Sequence, residues 1–325
     1  MRLRDDGAMV HDSLDLAAPG LADRFLAATV DAARAAAPLV GSGRGDEIDG
    51  LAVQALRAAL APLDVDGVVV VGEGEKDEAP MLFVGERFGT GAGPAVDLAV
   101  DPIDGTRLAA SGRPGAMAVM AVAPRGALAA VGAAHYMEKH VTWVPDVPAG
   151  ASLAELVDRA AATREVAAAD VRVAVQQRPR NERFVAEVRA AGASVELFEH
   201  GDVERCIRAA RGGGGLDIVS GIGGAPEGVL TAAAVRALGG SMHARLAPQS
   251  TVEAARIAAA GLSAIRLFGL DDLCGADAWF FLTAVTPIDL GPGERLSPGQ
   301  SWGIGPGWKA PVTPAPRSAG RRSGT

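Results

Sequence analysis

The stretch AVDLAVDPIDGTR, residues 95–107, is an apolar strand that runs straight into acid. Asp101 and Asp104 flank Pro102 and Ile103. A proline fixes the backbone there, and a tight turn aims both carboxylates, with a main-chain carbonyl, at one place. Gly105 permits close backbone approach, and Thr106 puts a hydroxyl at the start of a predicted helix, whose N-terminus offers free N–H groups to phosphate. A second run, VVVVGEGEKDEAPML at 68–82, repeats the pattern, with a valine strand followed by Glu73, Glu75, Asp77 and Glu78. Mg²⁺ and Mn²⁺ take hard oxygen ligands, and Mg²⁺ completes an octahedral shell with waters and substrate phosphates. Metal ligands beside a phosphate cradle are the physical requirements of a metal-dependent phosphatase. The plainer alternative for 95–107 alone is an exposed Asp-Pro turn with a threonine cap.

Composition narrows the field. A chain of 325 residues can bury one large domain or two ordinary lobes, and 49% hydrophobic with 22% charged residues is usual for a folded soluble protein. A net charge of −8 argues against a surface that coats nucleic acid. Lys76, Lys139 and Lys309 are the only lysines, so the basic character is almost wholly arginine. None of the three follows a glycine, which removes a phosphate-binding Walker loop. GSGRGD at 41–46 has the glycines of a dinucleotide loop but follows a helix rather than a strand. His135 and His140 match no metalloprotease spacing and read as structural or surface residues. No run approaches the roughly 20 apolar residues of a membrane span. MRLRDDGAMVHDSLDL at the start carries acids and no apolar core, so it does not read as a signal peptide. Cys206 and Cys274 form neither a disulfide framework nor a metal knuckle, and two free buried thiols fit a cytoplasmic protein.

Periodicity predicts a helix over 21–40, a second from Asp49 to about Leu60, strands at 67–71, near 81–84, at 95–100 and 116–124, and a hairpin over 127–144. Beyond residue 150, strands and helices alternate, which argues for a parallel α/β layer behind a first half of α+β character. The expected division is an N-terminal extension at 1–20, a metal-binding α+β lobe at 21–160, an α/β lobe at 161–290 that contributes substrate contacts, and a disordered Gly/Pro-rich tail at 291–325.

VGEGEKDEAPML, AVDPIDGTR, HYMEK and GIGGAPEGV, in this order and spacing, resemble the class II fructose-1,6-bisphosphatases of bacteria from about residue 21 to about 290. The D-P-I-D-G-T element is shared with the wider lithium-sensitive, inositol-monophosphatase-like superfamily. The resemblance implies a layered α/β/α/β/α sugar-phosphatase fold, a homo-oligomer (dimer or tetramer), and Mg²⁺ or Mn²⁺ as cofactor. Carried over by position, it makes Asp49, Glu73, Asp101, Asp104 and Glu227 metal ligands. Thr106 becomes the residue that orients the attacking water, with Glu75 and Asp77 supporting the metal shell or proton transfer. Substrate contacts fall on Asp104, Gly105, Thr106, Tyr136, Arg178, Arg180, His200, Asp202 and Gly224. The family also uses glutamate at the Asp104 position.

This chain departs from the pattern in five places. Only Glu47 and Ile48 separate Asp46 from Asp49, where the family has a lysine and a spacer. Arg178 stands in place of a lysine, and His200-Gly201-Asp202 in place of Asp-Gly-Asp. The segment at 246–254 is shortened and the Pro-rich tail replaces the family's closing strands. The resemblance implies hydrolysis of the 1-phosphate of fructose 1,6-bisphosphate. The altered positions keep open a phosphatase for another sugar or cyclitol phosphate, such as sedoheptulose 1,7-bisphosphate, or a sugar-phosphate-binding protein without turnover.

Overall fold

The computed structural model describes residues 2–3, 9–10, 20–72, 82–213, 215–291 and 293–309. Arg2–Leu3 (β1) pairs antiparallel with Met9–Val10 (β2). Beyond them the chain builds two sheets. Asp66–Val71 (β3), Arg87–Phe88 (β4), Ala95–Asp104 (β5), Met117–Pro124 (β6), Trp279–Ala284 (β13), Ser301–Gly305 (β16) and Trp308–Lys309 (β17) form a seven-stranded sheet in the order β17-β16-β13-β6-β5-β3-β4. Tyr136–Thr142 (β7), Arg172–Gln176 (β8), Ser194–Phe198 (β9), Ile218–Gly224 (β10), Ser241–Leu246 (β11) and Phe268–Gly269 (β12) form a six-stranded sheet in the order β12-β11-β7-β10-β8-β9. Ile288–Asp289 (β14) and Arg295–Leu296 (β15) make a separate two-stranded ladder.

The helices are Leu21–Ala36 (α1), Gly45–Leu60 (α2), Thr106–Ser111 (α3), Leu153–Arg164 (α4), Glu182–Ala190 (α5), Val203–Arg211 (α6), Ala225–Leu238 (α7), Thr251–Ala259 (α8) and Leu270–Leu273 (α9). α1 and α2 cover one face of the seven-stranded sheet, α6 and α7 lie between the sheets, and α4 and α5 cover the far face of the six-stranded sheet. The expected α/β/α/β/α layering is therefore present. Composition explains the placement. α1 and α2 are one-sided, with Phe25, Ala28, Ala32, Ile48, Ala52 and Leu56 facing the sheet. α7 buries nearly every residue from Gly228 to Val235, which suits an interior helix wetted by neither sheet's solvent face. β6, apolar throughout, is buried throughout because helices lie on both sides of it.

Several expectations need correction. The 127–144 segment forms no hairpin: β7 is a single strand held antiparallel by β10 and β11 from far along the chain. It belongs to the second sheet, while β13, β16 and β17 return to the first, so the lobes are not the blocks 21–160 and 161–290. The second sheet is mixed rather than parallel, since only β8–β9 and β8–β10 run parallel. Of the strand expected near 81–84, the described residues 82–84 are irregular, and the pairing with β3 comes from 87–88. The helix expected to open at Asp49 opens at Gly45.

The tail is also partly folded. β16 pairs antiparallel with β13 and Trp302 is 1% exposed in the core. A Cβ on Gly303 would stand 2.8 Å from Trp308, and one on Gly305 2.0 Å from Trp279. The glycines that read as disorder are close-approach positions for indole rings. Residues 310–325 of the expected tail, and most of the extension at 1–20, lie outside the described residues.

Candidate active site

β5 delivers the acids. Its pairing with β6 shifts register between Asp101 and Asp104, and the Ile103 N–H donates to Asp101 Oδ1 at 3.0 Å. The expected tight turn is instead an irregularity within β5: the side-chain-to-backbone hook interrupts the ladder, which resumes at Asp104 opposite Met117. Gly105 follows at φ +82°, a left-handed conformation that suits glycine. Thr106 opens α3, and its hydroxyl donates to Asp49 Oδ1 on α2 at 3.1 Å and to the Ile103 carbonyl at 3.0 Å. Residues separated by 57 positions meet there.

Asp104 turns inward. It is 5% exposed, and its Oδ2 has no hydrogen-bond partner among the described residues. A Cβ on Gly201 would stand 3.2 Å from that oxygen, so the 200–202 turn presses against it. Burial, then the Asp202 and Glu227 charges, push the Asp104 carboxyl well above the usual carboxylate range. Burial also raises Glu227, again with Asp202 nearby, and lifts Asp49 to about 6 against the lowering effect of the Thr106 bond.

Across from these acids lies a cavity of about 430 Å³ lined by Asp104, His135, Tyr136, Gln176, Arg180, Gly201, Asp202, Gly224, Pro226 and Glu227. Of the sequence-derived set, Asp104, Tyr136, Arg180, Asp202, Gly224 and Glu227 converge here. Arg180 is braced by three partners: Nε donates to the Ile222 carbonyl at 3.1 Å, Nη2 to Gln176 Oε1 at 3.1 Å, and the guanidinium lies 4.6 Å from the Tyr136 ring centroid. Its Nη1 hydrogens are left for a ligand. Gly224 caps the N-terminus of α7, and the Glu227 carboxylate folds back over it, where a Cβ on Gly224 would meet Oε2 at 1.7 Å.

Arg178 and His200 do not line the cavity; they bond to each other, Nη2 to Nδ1 at 3.2 Å. Burial, then Arg178 and Arg107, hold the His200 imidazole below its ordinary value. Glu73, Glu75 and Asp77 lie outside the described residues. Among the described residues, no three of His, Cys, Asp and Glu are grouped so as to hold a metal ion. The donor chemistry still suits a hard divalent cation: a buried carboxylate oxygen without a partner, raised by its neighbours' charge, is relieved by an added positive charge.

Sequence reasoning missed three residues that hold the site. Lys139 pairs with Asp202 Oδ2 at 2.7 Å, with both side chains buried. Breaking such a pair from one side costs on the order of 3–5 kcal/mol. Glu253 on α8 accepts from the His135 and Tyr136 N–H groups at 2.8 and 3.2 Å and fixes the start of β7. Gln176 orients Arg180. The signal for Lys139 was available, as a lysine whose same-face strand neighbours, Met137 and Val141, are both apolar. The G-x-S-x-G run at 299–303 makes no exposed nucleophile elbow, because Ser301 is buried in β16 against the Thr283 hydroxyl at 2.9 Å. Cys206 and Cys274 are free and buried, and among the described residues no helix is long and apolar enough to cross a membrane.

A family profile described as bacterial fructose-1,6-bisphosphatase, glpX-encoded, matches residues 20–300. The chain is 37% identical over 287 residues to fructose-1,6-bisphosphatase 1 class 2 of Escherichia coli (strain K12), covering 83% of this chain and 85% of that protein. The figures are the same for fructose-1,6-bisphosphatase class 2 of Shigella flexneri. Among solved structures, the extragenic suppressor protein suhB of Bartonella henselae aligns at 14% identity with a TM-score of 0.33, covering 58% of this chain and 71% of that one.

Proposed function

The chain belongs to the bacterial fructose-1,6-bisphosphatase family, and on that premise we propose that it hydrolyses fructose 1,6-bisphosphate to fructose 6-phosphate and phosphate in gluconeogenesis. The reaction class, phosphoric monoester hydrolysis, follows from the family, and that family is metal-dependent. The observation that carries the site assignment is Asp104, a buried carboxylate with one oxygen unpartnered among the described residues, converging with Asp202 and Glu227 on one cavity just before Thr106 and its hydrogen bond to Asp49.

Asp49, Asp101, Asp104, Glu227 and Glu73 would hold Mg²⁺ or Mn²⁺, which when bound supplies Lewis-acid stabilisation of phosphoryl oxygens and a water of lowered pKa. The Thr106 hydroxyl directs its one hydrogen toward Asp49 Oδ1 and the Ile103 carbonyl, so a lone pair on Oγ1 is left to accept from the attacking water and fix its approach. Glu75 and Asp77 support the metal shell or take the water's proton. The water oxygen bonds to phosphorus as the bond from phosphorus to the sugar oxygen breaks, and the departing alkoxide takes up a proton. Arg180 holds a phosphate through Nη1, with Nε and one Nη2 hydrogen already committed to Ile222 and Gln176. Tyr136, Asp202 and the Gly224 turn face the sugar, and Gly105 allows the phosphate close to the backbone.

A second reading, a phosphatase for sedoheptulose 1,7-bisphosphate or a cyclitol phosphate, is favoured by one observation: Arg178 and His200 are engaged with each other outside the cavity. Phosphate release from a panel of sugar phosphates with Mg²⁺ and with Mn²⁺ tests both. Turnover of fructose 1,6-bisphosphate above all others supports the first reading, and preference for another member supports the second. Silence across the panel leaves a binding protein. A cytoplasmic dimer or tetramer is the expected assembly, checked by light scattering on the purified chain.

A further inference from the structure

Lys139 is 1% exposed and lies on β7, opposite Gly221 of β10 and Ala244 of β11. Its Nζ donates to Asp202 Oδ2 at 2.7 Å and to the Gly224 carbonyl at 3.4 Å. A Cβ on Gly223 would stand 2.3 Å from Asp202 Oδ2 and 3.2 Å from Lys139 Cε, so the ion pair fills the volume a side chain at 223 would need. Three segments meet at this ammonium: β7, the turn into α6, and the junction of β10 with α7. Each carries residues of the substrate cavity, namely Tyr136, Asp202, and Gly224 with Glu227. Lys139 itself does not line that cavity. It cannot reach a phosphate there and acts only through what it holds.

We infer that Lys139 is a positioning residue that divides the acidic cluster, reserving Asp202 as a fixed acceptor for a sugar hydroxyl and leaving Asp104 and Glu227 for the cation. The inference rests on the metal-phosphatase reading above. An ammonium on Oδ2 repels a divalent cation from that carboxylate, because like charges a few ångströms apart in a buried site are poorly screened. The same bond leaves the lone pairs of Oδ1 for a neutral donor, and the hydroxyls of a polyol phosphate are donors of that kind. Asp104 lacks such a partner, and no ion pair within 4 Å joins it among the described residues. Three acids of one cluster are thereby held in two different states, which is the physical basis for their two roles.

The test uses the full chain as wild type, Lys139→Met, Asp202→Asn and the double variant. Calorimetry measures fructose 6-phosphate binding in Mn²⁺ buffer and, separately, Mn²⁺ binding without sugar. Both single variants should weaken fructose 6-phosphate by about 10-fold or more, the usual effect of losing a hydrogen bond to a charged group. The double variant should be no weaker than Asp202→Asn alone, since Lys139 acts through Asp202. Mn²⁺ affinity should survive in Asp202→Asn and tighten in Lys139→Met, where the acid is released to the cation. Losses that multiply in the double variant, or an Asp202→Asn protein that has lost Mn²⁺, overturn the inference. If Lys139→Met does not fold, the double variant, whose buried pair is neutral, is compared with Asp202→Asn alone: equal affinity supports the inference and a further loss overturns it. These are binding readouts, so a wild type without turnover that keeps the non-additive pattern loses the reaction assignment and keeps the division. A wild type that binds neither probe loses both.

Discussion

The two sheets hold carboxylates in opposite electrostatic states. On the side of the seven-stranded sheet, Asp49 and Asp104 have no ion pair among the described residues; one accepts a threonine hydroxyl and the other leaves an oxygen unpartnered. Both are pushed upward, first by burial. The six-stranded sheet pairs several of its acids with its own cations, Glu227 in the first turn of α7 excepted. Asp202 sits on Lys139, Asp217 takes Arg164 at 2.8 Å, and Glu138 is drawn down to about 2 by a His140 hydrogen bond and Arg183. Identical side chains are thus either neutralised inside the fold or left to be neutralised from outside. The second condition is costly in an isolated chain and useful in an enzyme that gathers a cation and an anionic substrate.

The sharpest way to break that contrast is Asp104→Asn. The amide keeps the shape and removes the charge, so kcat/KM should fall by about 10³-fold or more, as for loss of a group acting on transition-state charge. The metal-free variant should melt no lower than wild type, since a repelling buried charge has gone, and added Mn²⁺ should stabilise it less. Undiminished turnover would return Asp104 to a structural acid.

Thr106→Val comes next. It conserves volume and deletes only the hydroxyl shared with Asp49 and the Ile103 carbonyl. A drop in kcat of roughly 10²-fold is expected with Mn²⁺ binding retained, the scale for a positioned catalytic group. Unchanged kcat in single-turnover measurements would reduce Thr106 to a helix-opening residue.

Asp49 gives the contrast a pH signature. Its folded value of about 6 lies above the ordinary 3.8, so the folded chain holds the proton more tightly than the unfolded chain does. In the metal-free protein this contribution to stability is fully present below 3.8 and is lost as pH rises through about 6. Metal binding runs the other way, because the carboxyl must release that proton. The half-saturating Mn²⁺ concentration should therefore rise, by about 10-fold per proton per pH unit, as pH falls below that value. Titrating Mn²⁺ activation from pH 7.5 to 5 checks this, with Asp49→Asn expected to flatten the metal-free stability profile. A metal requirement independent of pH would disconnect Asp49 from the cation.

Local chemistry made half of this site legible in the sequence. An apolar strand ending in Asp-Pro-Ile-Asp-Gly-Thr states its acids, its glycine conformation and its hydroxyl within a dozen residues, whereas Asp49 came from the family resemblance, its spacing giving only a helix. The six-stranded side was harder because its decisive contacts span long separations. Lys139 meets an acid more than sixty residues away, and the His135–Tyr136 backbone is held by Glu253 from more than a hundred. The same distance effect explains the hairpin that is absent at 127–144 and the tail strand that is present at 301–305: pairing of β7 and β16 is decided by partners that no local window contains. Gly303 and Gly305 read as breakers because the rings they accommodate, Trp308 and Trp279, become neighbours only in the fold.

The smallest expected effect lies where the sequence departs from its family, at Arg178 and His200. Their bond at 3.2 Å needs Nδ1 as acceptor, because a guanidinium only donates, so the imidazole carries its proton on Nε2 and stays neutral. A second proton would break the bond and place a cation beside Arg178, in line with a value held below the ordinary 6.5. The acid limb that His200 contributes to kcat/KM should therefore lie below pH 6.5 rather than at it. A carboxylate at 200 would reverse this, accepting from a cation at 178 while keeping lone pairs for a sugar hydroxyl. The double variant Arg178→Lys with His200→Asp should raise kcat/KM on fructose 1,6-bisphosphate by about 3–10-fold, the scale of one added hydrogen bond to a charged group at a partly exposed site. Arg178→Lys alone should give less, because it loses the fork and gains no acid. If the double variant gains nothing while the original chain turns over another sugar phosphate faster, this pair is adapted to that substrate, and the contrast between the two sheets stands with a different sugar between them.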